Sequence, residues 1–323
     1  MAPGADAGVL VTATTNVAAL ATALNASGLT ITSVSIRNGA DGQFGTYTDF
    51  TTPPITIGDG VVLSSGDVSF VGPPPDPSLD FPQPSYDMGS SNTPEFDAYG
   101  PTNIENFTGS YDVAALQVNF HLDTNSPIKF DFIFGSVEYP SWTSQYTDAL
   151  LVFLDGIDPT NQITFDENHK PVQVGKSFAG AVETADQNTA FADPHGVLPE
   201  LTTTSALLLA GDHVLLFEVG DVNDALLDSA AFITNLRAEA GDQGTEPTHP
   251  LPTLGLAGWQ QSGVTNVMSL TWTNDGTQWV LEESAALSGG WSEVSSPRTT
   301  NANWVCTSVT NNAAAQFFRL RRN

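Results

Sequence analysis

At 323 residues, with 28 Gly, 21 Pro and only 14% charged residues, the chain has room for two domains and the composition of a strand-and-turn protein, which excludes a helical bundle. The formal net charge of -27 repels phosphate backbones and anionic lipid, so no nucleic-acid partner and no membrane insertion are expected, and divalent cations or plain solubility are better readings of the charge. The single cysteine, Cys306, allows no intrachain disulfide and no cysteine zinc site, and reads as a small buried hydrophobe.

The charge is uneven. Residues 251–323 carry four acids and four bases, so the other 32 acids and five bases all lie earlier. No apolar run of about 18 residues is present to span a membrane. Met1-Ala2-Pro3-Gly4 lacks the basic and apolar regions of a signal peptide, as expected of a mature form or of one whose leader a start Met replaces.

In chain order, Gly8 to Thr14 alternates weakly as a strand, and Asn16 is placed to cap a short helix from Val17 to Leu24. Leu29 to Ile36 alternates apolar and polar residues with a slip at Ser33, predicting a strand with a bulge. Gly58-Asp59-Gly60 reads as a turn and Val61 to Gly66 as a buried strand. Residues 72–101 are rich in Pro and Gly, and predict a long surface excursion that is a candidate contact loop.

Strands follow at Ala114 to Leu122 and Ile128 to Gly135, both alternating, and at Ala149 to Gly156, which is almost continuously apolar and so predicted to be central between two layers. Ser205 to Leu209, His213 to Val219 and Ala230 to Leu236 complete this set. Absence of strand-helix alternation disfavours a parallel sheet. Residues 241–253 form a Pro- and Gly-rich linker, and short strands beyond it, between Val267 and Arg321, predict a small β-sandwich.

Four stretches in order, NVAALATALNASGLTITSVSI, IGDGVVLSSGDV, FDFIFGSVEYPSW and GDVNDALLDSAAFITNL, resemble the choice-of-anchor L domain of bacterial surface proteins over roughly residues 9–238. The motif usually written F-x-S-E-E-Y-P reads here Phe134-Gly135-Ser136-Val137-Glu138-Tyr139-Pro140, with Val137 replacing one acid. The tail, with Trp272, Trp279, Gly290-Trp291 and Gln316 to Arg321, is similar to C-terminal β-modules on exported Verrucomicrobia and Planctomycetes proteins. The resemblance implies export and an extracellular or cell-surface location.

Glu138, Asp148, Asp221, Asp224 and Asp228 are the acids nearest these motifs, and hard cations such as calcium take six to eight oxygens from carboxylates and carbonyls. They are the candidate metal ligands, set against a plainer reading in which Asp224 and Asp228 cap turns by accepting backbone N–H bonds, or Glu138 is buried against a Tyr hydroxyl. Trp142 and Tyr146, in a polar run, are candidate platforms for stacking a sugar, whereas Trp272, Trp279 and Trp304 read as core.

No catalytic residues are assigned. There is no G-x-S-x-G elbow or H-E-x-x-H pair, and the histidines at 121, 169, 195, 213 and 249 are scattered. Asn25 and Asn106 stand in N-x-S/T patterns. The sequence therefore predicts an all-β chain: residues 1–240 form an acidic, jelly-roll-like β-sandwich with a short N-terminal helix, and residues 254–323 a small C-terminal β-sandwich. Its expected role is a non-enzymatic structural or adhesive surface protein, self-associating into a homopolymer or filament. The alternative is a glycan-binding module that uses calcium.

Overall fold

The computed structural model describes residues 9–50, 56–72, 84–143, 145–166, 170–175, 189–192, 195–198, 200–239, 254–262, 265–273, 279–284, 291–300, 304–311 and 316–322. The chain divides into two compact units, residues 1–249 and 250–323. The expected linker at 241–253, His169 and His249 lie outside the described residues.

The first unit contains, in order, β1 (Leu10–Ala13), α1 (Val17–Ala23), β2 (Thr30–Asn38), β3 (Phe44–Phe50), β4 (Gly58–Ser64), α2 (Pro94–Asn103), β5 (Ser110–Leu122) and β6 (Ile128–Ser136). It continues with β7 (Ala149–Leu154), β8 (Val172–Gln173), β9 (Gly196–Val197), β10 (Leu201–Thr204), β11 (Gly211–Val222) and β12 (Ser229–Ala238). One sheet runs β1-β3-β4-β12-β6-β10 with β9 also on β6, and the other β2-β5-β11-β7-β8. Every strand pairing is antiparallel.

Strand alternation explains why the two sheets stack. Phe130, Phe132 and Phe134 of β6, Ala231 and Ile233 of β12, Phe217 and Val219 of β11, and Leu150 and Val152 of β7 all enter one shared core. The intervening residues meet outer layers. Ile133 and Phe232 join Tyr47, Phe50 and Phe191, while Leu151, Phe153 and Leu216 pack under Phe96 and Tyr99 of α2. This second contact is why β7 is apolar on both faces. α1 is capped by the Asn16 side chain, which accepts from the Ala18 and Ala19 amides, and β2 slips register between Ile31 and Ser33.

Four expectations need correction. The excursion at 72–101 is not all surface. Residues 73–83 lie outside the described set, but Thr93 then caps α2 by accepting from the Phe96 amide, Pro94 occupies its first turn, and Phe96 is fully buried. The strand expected at Ser205 to Leu209 is instead β10, four residues earlier, where Thr203 and Thr204 pair with Phe130 and Lys129. Gly58-Asp59-Gly60 opens β4 rather than forming a separate turn. Cys306 is half-buried.

The second unit contains β13 (Gly255–Ser262), β14 (Thr265–Thr273), β15 (Trp279–Ser284), β16 (Ser292–Glu293), β17 (Arg298–Thr300), β18 (Trp304–Asn311) and β19 (Phe317–Arg322). They form sheets ordered β13-β14-β18-β17 and β16-β15-β19. Trp272, Leu281, Val294 and Val309 make its core. Arg319 lies 4.3 Å from the centre of the Trp291 ring. The side chains of Trp259, Trp279 and Trp304 lie outside the described set.

Beneath α2, Glu218 of β11 is fully buried. Burial first, then the neighbouring Glu95 carboxylate, pushes it up to about 8, against the pull of the Thr93 hydroxyl and Arg37. A carboxyl raised in the folded state contributes stability that is fully present below its unfolded pKa and is lost as pH rises through the folded value. Glu218→Gln should therefore melt progressively higher than the parent as pH rises from about 4 to about 8, with the gain level above that. Melting curves across that range check it; a gain no greater at the alkaline end contradicts it.

Candidate functional site

The strand directions bring five chain segments to one end of the large sandwich. β4 ends at Ser64-Ser65-Gly66, β6 at Ser136 before Glu138, and β11 at Asp221, while β7 starts just after Asp148 and β12 just after Asp228. The pairings Ser136↔Ser229 and Gly220↔Ala149 hold these ends level.

Asp148 connects the two sheets. One of its oxygens accepts from the Ser229 hydroxyl at 2.7 Å, on β12 of the first sheet. The other accepts from the Val222 amide at 3.0 Å, on β11 of the second. Burial drives its carboxyl up to about 7 even though both bonds stabilise the charged form. Asp221 is close enough to feel its charge, and two neighbouring carboxyl groups in a buried site resist ionising together.

Asp221 itself is held well above the usual carboxylate range, by burial first and then by the charges of Asp148 and Asp228. The Ser65 hydroxyl pulls the other way, but it donates to the Ser229 carbonyl at 3.3 Å, and neither Asp221 oxygen receives a well-formed hydrogen bond. Glu138, also fully buried, has both oxygens without a donor. Burial, followed by Asp148, Asp224 and Asp228, pushes it up to about 10.

Asp228 is differently placed. Both its oxygens accept from the Tyr86 amide at 3.1 Å, and its own amide donates to the Pro84 carbonyl at 3.2 Å. Burial still lifts it to about 8, with Asp148, Asp112 and Asp67 adding to the shift. Residues 84–90 thus close over the site. Met88 and Ser90 donate their amides to the buried Asp112, each at 2.7 Å. Asp224 sits half-buried at the margin with one oxygen unpaired, its carboxyl raised by burial.

Of the five acids predicted as metal ligands, Glu138, Asp148, Asp221 and Asp228 are brought together in the interior and Asp224 stands at their edge. All the donors are oxygens, which suits calcium rather than zinc. Among the described residues, no three His, Cys, Asp or Glu side chains already close into a metal-binding group. The turn-cap reading fits Asp228, which accepts from the Tyr86 amide, and Asp224, whose carboxyl the Leu226 amide stabilises, whereas no Tyr hydroxyl bonds Glu138.

Trp142 is 42% exposed, and its ring centre lies 6.3 Å from that of Tyr146 at 60°. The Trp142 amide donates to the Glu138 carbonyl at 2.9 Å, so this aromatic turn hangs from the acidic site. His121 and His213 pair with Asp212 and Asp155, each at 2.6 Å. A cavity of about 460 Å³ lies on the outer face of β5, β7 and β11, lined by Arg37, Gln117, Phe153, Asp155 and Asp212 among others, and contains none of the predicted site residues.

Sequence reasoning missed Asp112, Ser65, Ser229 and Gly66. Gly66 alone carried a signal, as a glycine directly after a buried strand.

The family model of the Choice-of-anchor L domain matches residues 10–236 of the chain. No curated protein matches it.

A Cβ on Gly66 would collide with the Asp228 carboxylate. Gly66→Ala should therefore cost about 2 kcal/mol or more in denaturant unfolding, within the range of overpacked cores. Gly109→Ala, whose Cβ would meet nothing closer than 3.8 Å, serves as control and should cost under about 1 kcal/mol. Equal costs would contradict the packing described.

Proposed function

Because the chain belongs to the choice-of-anchor L family, a family of surface-associated proteins, we propose that it is a non-enzymatic structural or adhesive protein of the cell surface that associates with its own copies. The observation that carries this reading is where the acids lie. Acid-base chemistry needs carboxyl groups that can reach a substrate, and Glu138, Asp148, Asp221 and Asp228 have 0% exposure, with Asp148 bonded to a strand of each sheet.

Self-association is supported by the edges of the first sheet. β1 pairs only with β3 and β10 only with β6, so among the described strands each leaves one side of its backbone open. Leu10 on β1 is 60% exposed. Two different open edges on one sheet suit head-to-tail pairing, which extends into a fibre where a two-fold contact would stop at a dimer.

A glycan-binding role is the second reading, favoured by the exposed Trp142 beside Tyr146. Sedimentation and electron microscopy of concentrated protein separate the two. Self-association that Leu10→Lys weakens at least about tenfold supports the structural reading, since a charge on an edge strand opposes pairing. A protein that stays monomeric, yet binds glycans in a way that Trp142→Ala abolishes, supports the second reading and overturns the first.

A further inference from the structure

The fold buries more carboxyl groups at one end of the large unit than its own side chains partner. Glu138, Asp148, Asp221 and Asp228 each have 0% exposure, and the charges acting most strongly on them are those of other carboxylates. Amide side chains of the same size would fill this space and could donate as well as accept. Four acids in their place call for positive charge from outside the chain, because a buried carboxylate without a counter-charge or donors is costly.

The independent mark of a ligand is the state of two side chains. Both oxygens of Glu138 and both of Asp221 are buried without a well-formed hydrogen bond, which is rare for polar groups in a folded interior. Both are electrostatically joined to the same pair, Asp148 and Asp228. The neighbouring donors are also oxygens, the Ser136 and Ser65 hydroxyls among them.

We propose that this end of the sandwich binds one divalent, oxygen-seeking cation of the calcium class, with Glu138 and Asp221 as its direct carboxylate ligands and Asp148 and Asp228 as the charges beside them. As placed, the acids do not close on one point. The side chains that must turn to close the site are the two that no hydrogen bond holds. Asp148 stays fixed by Ser229 and Val222, and Asp228 by Tyr86. Calcium takes six to eight oxygens, and carboxylates need supply only part of them, with carbonyls and water completing the shell. The fixed pair then orients the site as outer partners commonly do. The proposal does not depend on self-association and survives its failure.

Calorimetric titration of calcium chloride into chelator-treated full-length protein, with melting curves in excess chelator and in millimolar calcium, tests it. Binding of one ion per chain and a rise in Tm of roughly 4–10 °C are expected. Glu138→Gln combined with Asp221→Asn should lose both responses. Asp123→Asn, at a 93% exposed acid just past the opposite end of β5, should keep them. Should the double variant fail to fold, the parent protein still decides: no binding heat and identical melting in chelator and calcium overturn the site. An undiminished calcium response in a folded double variant overturns its placement.

Discussion

The large unit depends on a carboxylate shared between two sheets. Asp148 accepts a hydrogen bond from the Ser229 hydroxyl of β12 on one side and from the Val222 amide of β11 on the other, so the two layers are joined at that end by a directional polar contact as well as by the apolar core. Charged acceptors make stronger hydrogen bonds than neutral ones, and the low polarity around them strengthens them further. The same burial makes the arrangement demanding. Each additional acid near Asp148 must be met by a donor, a proton or a cation, and Asp228 has the Tyr86 amide where Glu138 and Asp221 have no well-formed hydrogen bond.

This arrangement divides the acidic character of the chain into two kinds. Much of it is exposed, as at Asp123 and Asp212, whose side chains are 93% and 85% accessible, and such charges do little beyond keeping the protein soluble. A smaller part is turned inward at the family motifs. Net charge alone could not separate the two, because -27 is the same number wherever the carboxylates point.

The regular parts of the fold were legible because one face of each strand is core. The second half of β5 alternates, Asn16 announces α1, and the slip at Ser33 is a real change of register. β3 was not legible, since Asp49 adopts a φ of 64° and the pairing shifts between Tyr47 and Phe50, which breaks the alternation a strand is recognised by. α2 was hidden by composition: its Pro94, Gly100 and Pro101 read as loop, though Thr93-Pro94-Glu95 is a good helix start. Glu138, Asp148, Asp221 and Asp228 could be chosen from their nearness to the motifs, but their burial could not. For Asp228 it involves residues 84–90 folding back over the site, with Tyr86 bonding Asp228 from about 140 residues away.

The claim that Asp148 couples the sheets is tested most directly by a double-mutant cycle between Asp148→Ala and Ser229→Ala, measured by denaturant unfolding in one buffer. Two residues sharing one buried, charged hydrogen bond should interact by about 1–3 kcal/mol, so the double variant should lose that much less than the sum of the single losses. Losses that add to within about 0.5 kcal/mol would contradict the account.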